Sequence, residues 1–261
     1  MLRPRIIPCL LVHQGGLVKT QGFKEPKYVG DPINTVKIFN EKESDELIVL
    51  DIDATVLGRE PDFGLIAKLA AECRMPLCYG GGVKTSDQAA RIVDMGVEKV
   101  AVSAAAIANP ALLSDMAAAV GQQSVVAVLD LQKKTGLFAK GYEVYTHNGK
   151  TLHKADPVSL AEQLQDAGVG EIVINSIDRD GFMQGYDMDL ASQFRDVLKV
   201  PVTIMGGAGS LEHVGQLVSK FGVVGAAAGS LFVFKGKYRA VLINYPTPAQ
   251  KNQLCRDALK I

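Results

Sequence analysis

The sequence predicts an α/β fold, a closed (β/α)8 TIM barrel assembled from two homologous half-barrels, and three observations carry that expectation. A glycine turn recurs: residues 79–83 run Tyr79, Gly80, Gly81, Gly82, Val83, and residues 205–209 run Met205, Gly206, Gly207, Ala208, Gly209. The interval of 125 positions between Gly81 and Gly206 also separates Glu46 from Glu171, so that 46–53 overlies 171–178 and the chain reads as one half copied once. The 261 residues match the length of one such barrel, and 48% hydrophobic content suffices for a barrel interior and a helix–barrel layer. Strands alternating with helices in a unit used twice favour closure over an open sheet, and one domain, 1–261, is expected.

The elements follow in order. A near-continuous apolar run at 5–12 suits a parallel strand covered on both faces. A long loop, 13–30, carries Gly15, Gly16 and Lys19; on a barrel the loops after strands form the functional face. Asp31 and Pro32 open the first helix as cap and first-turn proline. The second strand, 46–51, runs into Asp51 and Asp53, a helix from about 62 to 73 follows, and the third strand enters the first glycine turn. Ser86 is expected to cap a helix over 87–95 that Gly96 ends. The fourth strand is 99–103, the next helix starts at Asn109 and Pro110, and the fifth strand, 125–130, ends in Asp130. Between about 138 and 154, alternation around Asn148 and Gly149 signals a hairpin inserted in the fifth strand–helix loop. A helix at 156–167, a strand at 171–175, a charge-dense loop at 176–182 and a strand at 201–204 lead to the second glycine turn. Ser210 opens the next helix, and the last strand, 225–228, delivers Gly229 and Ser230 beside Gly206 and Gly207.

Lys plus Arg and Asp plus Glu both number 28, so no net field recruits nucleic acid or an anionic membrane. No stretch has the length of a membrane span, and the first residues lack the apolar core of a signal peptide, so a cytoplasmic protein is expected. Cys9, Cys73, Cys78 and Cys255 form no close pair and read as buried reduced thiols. His13, His147, His153 and His213 are scattered without ligand spacing, so neither a metal nor another cofactor is expected.

A glycine without Cβ lets the backbone approach a ligand, and N–H groups at a helix start favour an anion. Gly81 and Gly82 in one half, and Gly206 and Gly207 with Gly229 and Ser230 in the other, therefore read as two matched phosphate cradles. Tight strand–helix turns alone would also use glycine; the doubling favours the ligand.

With those residues assembled, the chain resembles the cyclase subunit of imidazole glycerol phosphate synthase from histidine biosynthesis. The matching stretches are 5–10, 18–19, 30–32, 45–51, 80–82, 176–181, 185–187 and 206–209, spread over essentially the full length. The resemblance implies a barrel that takes ammonia from a glutaminase partner at its N-terminal face and uses it on a substrate with a phosphate at each end. It assigns Lys19 to a mobile loop closing over that substrate, and Ser103 and Asp180 to the mouth. It places Arg5, Glu46, Lys99 and Glu171 as a charged ring at the barrel bottom that gates ammonia. Two cations and two anions enclosed together neutralise one another, whereas one left unpaired would cost roughly 3–5 kcal/mol. A purely structural plug is the competing reading of that ring.

The resemblance also implies an acid–base pair of aspartates ending the first and fifth strands. Asp130 is present, but the first-strand position is Leu11, which cannot exchange a proton. Such groups contribute typically about 10²–10⁴ in rate. Ser103 with Ala104, Phe182 and Met205 depart from the family pattern nearby. A chain that keeps the ring and both glycine turns while losing a proton carrier resembles the divergent paralogues of surface-polysaccharide biosynthesis. There, ammonia from a glutaminase passes through a cyclase-like barrel to a third protein that makes an acetamidino sugar. Three rival readings remain open: an ordinary cyclase using Asp51, Asp53 or Asp180 instead, the sister sugar isomerase, which lacks an ammonia partner, and a silent barrel that only activates the glutaminase.

Overall fold

The computed structural model describes residues 3–136 and 139–259. Eight parallel strands close on themselves: β1 (Arg5–His13), β2 (Leu47–Asp51), β3 (Leu77–Gly80), β4 (Lys99–Val102), β5 (Val125–Lys133), β6 (Glu171–Ser176), β7 (Val202–Met205) and β8 (Gly225–Ala228). Each pairs with its sequence neighbours, β5 with β6 across the halves and β8 back onto β1. Helices α1 (Pro32–Glu41), α2 (Phe63–Glu72), α3 (Ser86–Asp94), α4 (Ala111–Val120), α5 (Pro157–Asp166), α6 (Met188–Arg195) and α7 (Leu211–Phe221) lie between them, and α8 (Pro248–Leu259) ends the described chain. The expected TIM barrel is the fold.

Two cores follow from strand alternation, which sends successive side chains to opposite faces. Outward residues such as Leu10, Val49, Tyr79 and Ile174 join helix residues such as Phe39, Ile66 and Phe194 in the larger core. Inward residues Ile7, Cys9, Ile48, Cys78, Ala101, Val126, Val128, Val173, Met205 and Ala227 form the second, the barrel's apolar shaft, with Leu11 and Leu50 packed on its upper end. Cys9 and Cys78 are buried as expected, whereas Cys73 and Cys255 are only half-buried.

The helix starts obey simple capping chemistry. Asp31, Asp62, Asp156, Asp187 and Ser210 each accept a hydrogen bond from a first-turn N–H. The third cap departs from expectation: Thr85, not Ser86, accepts from Gln88 N, and Ser86 is the first helical residue. Short helices Ala104–Ala108 and Ser230–Val233 follow β4 and β8, at twin places in the two halves.

One further departure concerns the functional end. The stretch 13–30 is not an irregular loop; strands Gly16–Gln21 and Lys24–Gly30 form a hairpin that folds back antiparallel on β1, with Leu11 opposite Val18. Its outer arm disguises itself, since Pro26 sits on the free edge and Glu25 takes a positive φ at an irregularity in the pairing. The second hairpin is present as strands Tyr142–Thr146 and Thr151–His153, paired to β5; the start expected for it, at 138, lies outside the described residues. Each half thus bears a hairpin after its first strand, and together they roof the mouth.

Below the barrel, Tyr245 fastens the C-terminal segment. Its buried hydroxyl donates to Ile6 O (2.7 Å) and accepts from Asp45 N (3.0 Å), while Asp45 Oδ2 accepts from Ile6 N (2.9 Å). Tyr245→Phe deletes both hydroxyl bonds and should lower stability by roughly 1–3 kcal/mol, read from the midpoint of urea unfolding with the slope unchanged.

Candidate active site

At the bottom of the shaft Arg5, Glu46, Lys99 and Glu171 meet. Lys99 Nζ donates to Glu46 Oε1 and Glu171 Oε2, both at 2.8 Å, Arg5 Nη2 donates to Glu171 Oε1 at 2.7 Å, and Arg5 also pairs with Glu46. Thr203 adds a hydroxyl bond to Glu171. Burial alone would drive these groups towards neutrality. It is outweighed, so that Glu171 is lowered by Arg5 and Lys99, and both cations are raised by Glu171 and Glu46. Arg5, Lys99 and Glu171 are thereby held in their charged forms.

Above the shaft, the other candidate residues converge. Lys19, Gly81, Gly82, Ser103, Asp130, Asp180, Gly206, Gly207, Gly229, Ser230 and Leu11 all line one cavity of about 440 Å³ at the C-terminal end of the strands. The glycines of the turns have a packing reason. Gly81 has φ 124° and its missing Cβ would strike the Asp51 carbonyl; Gly207 has φ 104° and would strike the carbonyl of Gly185. The packing reading of the turns therefore holds at both. Neither short helix has a side-chain cap, so their first N–H groups, beside Ser103 and Gly229 on the cavity wall, are available to an anion. Ser103 Oγ and Asn175 Oδ1 are buried without a hydrogen-bond partner among the described residues.

Lys19 sits on the first arm of its hairpin and is buried, with Nζ donating to Cys9 O and lying 2.6 Å from the place a Cβ on Gly229 would take. Burial pushes its pKa down, against the pull of Cys9 and Asp180. Asp180 holds the same hairpin: Thr20 Oγ1 donates to Asp180 Oδ2 at 2.6 Å and Gly22 N to its carbonyl at 3.0 Å. Burial raises the Asp180 pKa. Asp51 is spent on its own turn, accepting from Asp53 N and Ala54 N.

The ladders show how Leu11 and Asp130 are placed relative to one another. Asp130 lies opposite Asn175, whose Nδ2 donates to Asp130 Oδ1 at 2.8 Å. Asn175 is the twin of Leu50 by the 125-residue interval, and Leu50 lies opposite Leu11. Leu11 is therefore the structural counterpart of Asp130, and the polar pair of one half is an apolar pair in the other. Burial raises the Asp130 pKa to about 6, with Asn175 opposing and Asp180 reinforcing the shift. Sequence reasoning missed Asn175; its placement one strand from Asp130 in the mouth layer was the available signal. It also gave no role to His13 or His147. Among the described residues no cluster of His, Cys, Asp and Glu could hold a metal ion, and no helix is long and apolar enough to cross a membrane.

A family model described as "Histidine biosynthesis protein" matches residues 5–239. The chain is 55% identical over 253 residues to a Vibrio vulnificus protein named "Putative imidazole glycerol phosphate synthase subunit hisF3", covering 97% of this chain and 96% of that one. A hisF2 subunit of Pseudomonas aeruginosa, named in the same way, is 52% identical over 246 residues, 94% of this chain and 97% of its own. A HisF subunit of Leptospira interrogans is 53% identical over 254 residues, 97% and 99%.

A raised carboxylate pKa has a defined sign in stability. The folded state holds the Asp130 proton more tightly than the unfolded chain does. The resulting penalty is absent below the unfolded value near ~4, grows as pH rises, and is complete above about 6. Asp130→Asn keeps an acceptor for Asn175 and removes the charge. The variant should be more stable than the parent at pH 8, by up to roughly 2–3 kcal/mol, and the gap should close at pH 4–5; paired thermal unfolding curves at the two pH values check this.

Proposed function

The chain belongs to the histidine-biosynthesis protein family, and from that premise we propose that it is a cyclase-like synthase subunit that handles ammonia but has lost most of the family's ring-closing activity. The observation that carries this reading is Leu11 on β1, facing the cavity where Asp130 faces it on β5. In this reading a glutaminase subunit docks at the N-terminal face and releases ammonia beneath the ring of Arg5, Glu46, Lys99 and Glu171. Ammonia passes the ring uncharged, since the shaft from Ile7 to Met205 offers an ion no partner. A phosphorylated ligand lies across the mouth, with one cradle at Gly81, Gly82 and the helix behind Ser103, and the other at Gly206, Gly207, Gly229 and Ser230. Lys19 covers it from the first hairpin.

Asp130 is the remaining proton carrier. A pKa of about 6 leaves it poised to exchange a proton near neutral pH, and Asn175 fixes one oxygen so that the other faces the ligand. One carboxylate cannot serve both sides of a substrate lying between the halves. The ammonia is therefore passed on, in this proposal, to a third protein that amidinates a sugar for a surface polysaccharide such as lipopolysaccharide. The hisF2 and hisF3 names of the relatives fit a second copy beside an ordinary cyclase.

Purified chain, mixed with a glutaminase partner and the bis-phosphorylated histidine-pathway substrate, should turn over about 10²–10⁴ times more slowly than an ordinary cyclase. Equal rates would refute the proposal. Leu11→Asp should raise the residual rate, and an unchanged rate would place the defect elsewhere in the mouth.

A further inference from the structure

The order of strands around the barrel fixes what lies on each side of a ligand in the mouth. Gly81 and Ser103 follow β3 and β4, and Gly206 and Gly229 follow β7 and β8. Two strands are left on each side of a line joining these places: β1 and β2 on one, β5 and β6 on the other. The residues that these strands bring to the mouth are Leu11 and Leu50 on the first flank and Asp130 and Asn175 on the second, and all four line the cavity. The two flanks are therefore of opposite polarity.

Leu11 and Leu50 stand opposite one another on the β1–β2 ladder, and both rest on the apolar shaft. The polar side chains that β1, β2 and the segments after them add to the lining are already engaged. Asp51 Oδ1 accepts from Asp53 N at 2.9 Å and from Ala54 N at 3.1 Å, and Thr55 Oγ1 accepts from Gly82 N at 3.3 Å. Lys19 Nζ donates to Cys9 O, and Thr20 Oγ1 to Asp180 Oδ2 at 2.6 Å. A hydroxyl laid against this flank would lose its water and gain no partner, which is unfavourable. The opposite flank makes the reverse demand. Asn175 is buried and donates from Nδ2 to Asp130 Oδ1 at 2.8 Å, while its own Oδ1 is buried without a hydrogen-bond partner among the described residues. An unpaired buried acceptor favours a ligand that brings a donor to it.

We infer that the ligand spanning the two glycine turns has two unlike edges: a hydrogen-bonding edge met by Asp130 and Asn175, and an edge of bare carbon lying on Leu11 and Leu50. The inference rests on the reading above that the two turns hold the phosphates at the ends of one ligand. It makes Leu11 and Leu50 specificity-determining residues, so that leucine at the end of β1 changes what the mouth accepts as well as what it can catalyse. A bis-phosphorylated compound hydroxylated along both edges fits the β5–β6 flank and is disfavoured at the β1–β2 flank. One that lacks hydroxyls along a single edge fits both.

Glucitol bisphosphate and a dideoxy analogue lacking the two hydroxyls of one edge are the probes, titrated calorimetrically into the whole chain. The parent should bind the dideoxy compound about 10–100-fold more tightly. Leu11→Asp combined with Leu50→Asn copies into the first flank the pair that the second carries in the same register, and should reverse that order. Leu11→Asn alone, which adds no charge, should remove most of the preference. Asn175→Leu, acting at the other edge, should weaken both compounds about tenfold and leave their ratio unchanged. A parent that binds glucitol bisphosphate as tightly as the dideoxy compound, or more tightly, would overturn the inference. So would a double variant that unfolds cooperatively and yet keeps the parent's order, or a parent that binds neither compound. An ordinary cyclase rate on the histidine-pathway substrate, found together with the expected preference, would instead refute the proposed function and leave the two-edged ligand standing. A slow rate without the preference would sink the two-edged ligand alone.

Discussion

Everything at the mouth depends on the register of a closed parallel ladder. In an open sheet an edge strand can slip, but here every strand is bonded on both sides, β8 to β1 included. A slip of one residue in β1 would turn Arg5, Ile7, Cys9 and Leu11 outwards together and put Ile6 and Leu10 into the shaft. Because that is forbidden, side-chain identity at a given layer translates directly into chemistry. Leu11 opposite Leu50, and Asp130 opposite Asn175, are then two answers to one geometric question.

The same closure imposes opposite electrostatic regimes at the two ends. At the bottom each cation reaches both carboxylates, so desolvation is offset and the charges persist. At the top the carboxylates have neutral partners, Asn175 for Asp130 and Thr20 for Asp180, and burial raises their pKa values. Asp53 is the exception at the top, and a histidine within 2.7 Å is part of the reason. A charged plug below and proton-exchanging groups above are what a barrel passing a small base from one end to the other would require.

Much of this was legible in the amino-acid sequence. Parallel strands buried on both faces announce themselves as apolar runs, a duplication fixes the number of elements, and positive-φ turns demand glycine; all three are local signals. The ring was expected through the family resemblance, which placed Arg5, Glu46, Lys99 and Glu171, each at the start of such a run, at the barrel bottom. The first hairpin was not, since Lys24, Glu25, Pro26 and Lys27 erase the alternation that a half-buried strand would show. Asn175 was hidden for another reason. Its meaning lies in which residue stands across the ladder, and pairing between residues 40 or more positions apart has no local signature. The C-terminal helix was equally silent, with every residue at least partly exposed and its attachment made by Tyr245, Lys251 and Asn252.

The roof of the cavity belongs to both halves. The first hairpin is tied to the far half through Asp180, and the second to the near half through Asn148, whose Nδ2 donates to Ile52 O at 2.8 Å. The two meet where the Phe23 ring lies 3.5 Å from the place a Cβ on Gly149 would occupy. These ties are a few side-chain bonds at the rim, each worth about 1 kcal/mol, whereas the shaft is held by eight uninterrupted ladders. The ties between the hairpins are therefore weaker than the barrel beneath them. Lys19 and Thr20 share the first arm of the first hairpin, so the contact of Lys19 with Gly229 and the bond of Thr20 to Asp180 are held by one strand. The surroundings of Gly229 and of Asp180 are thus joined through one strand, Gly16–Gln21, outside the closed barrel.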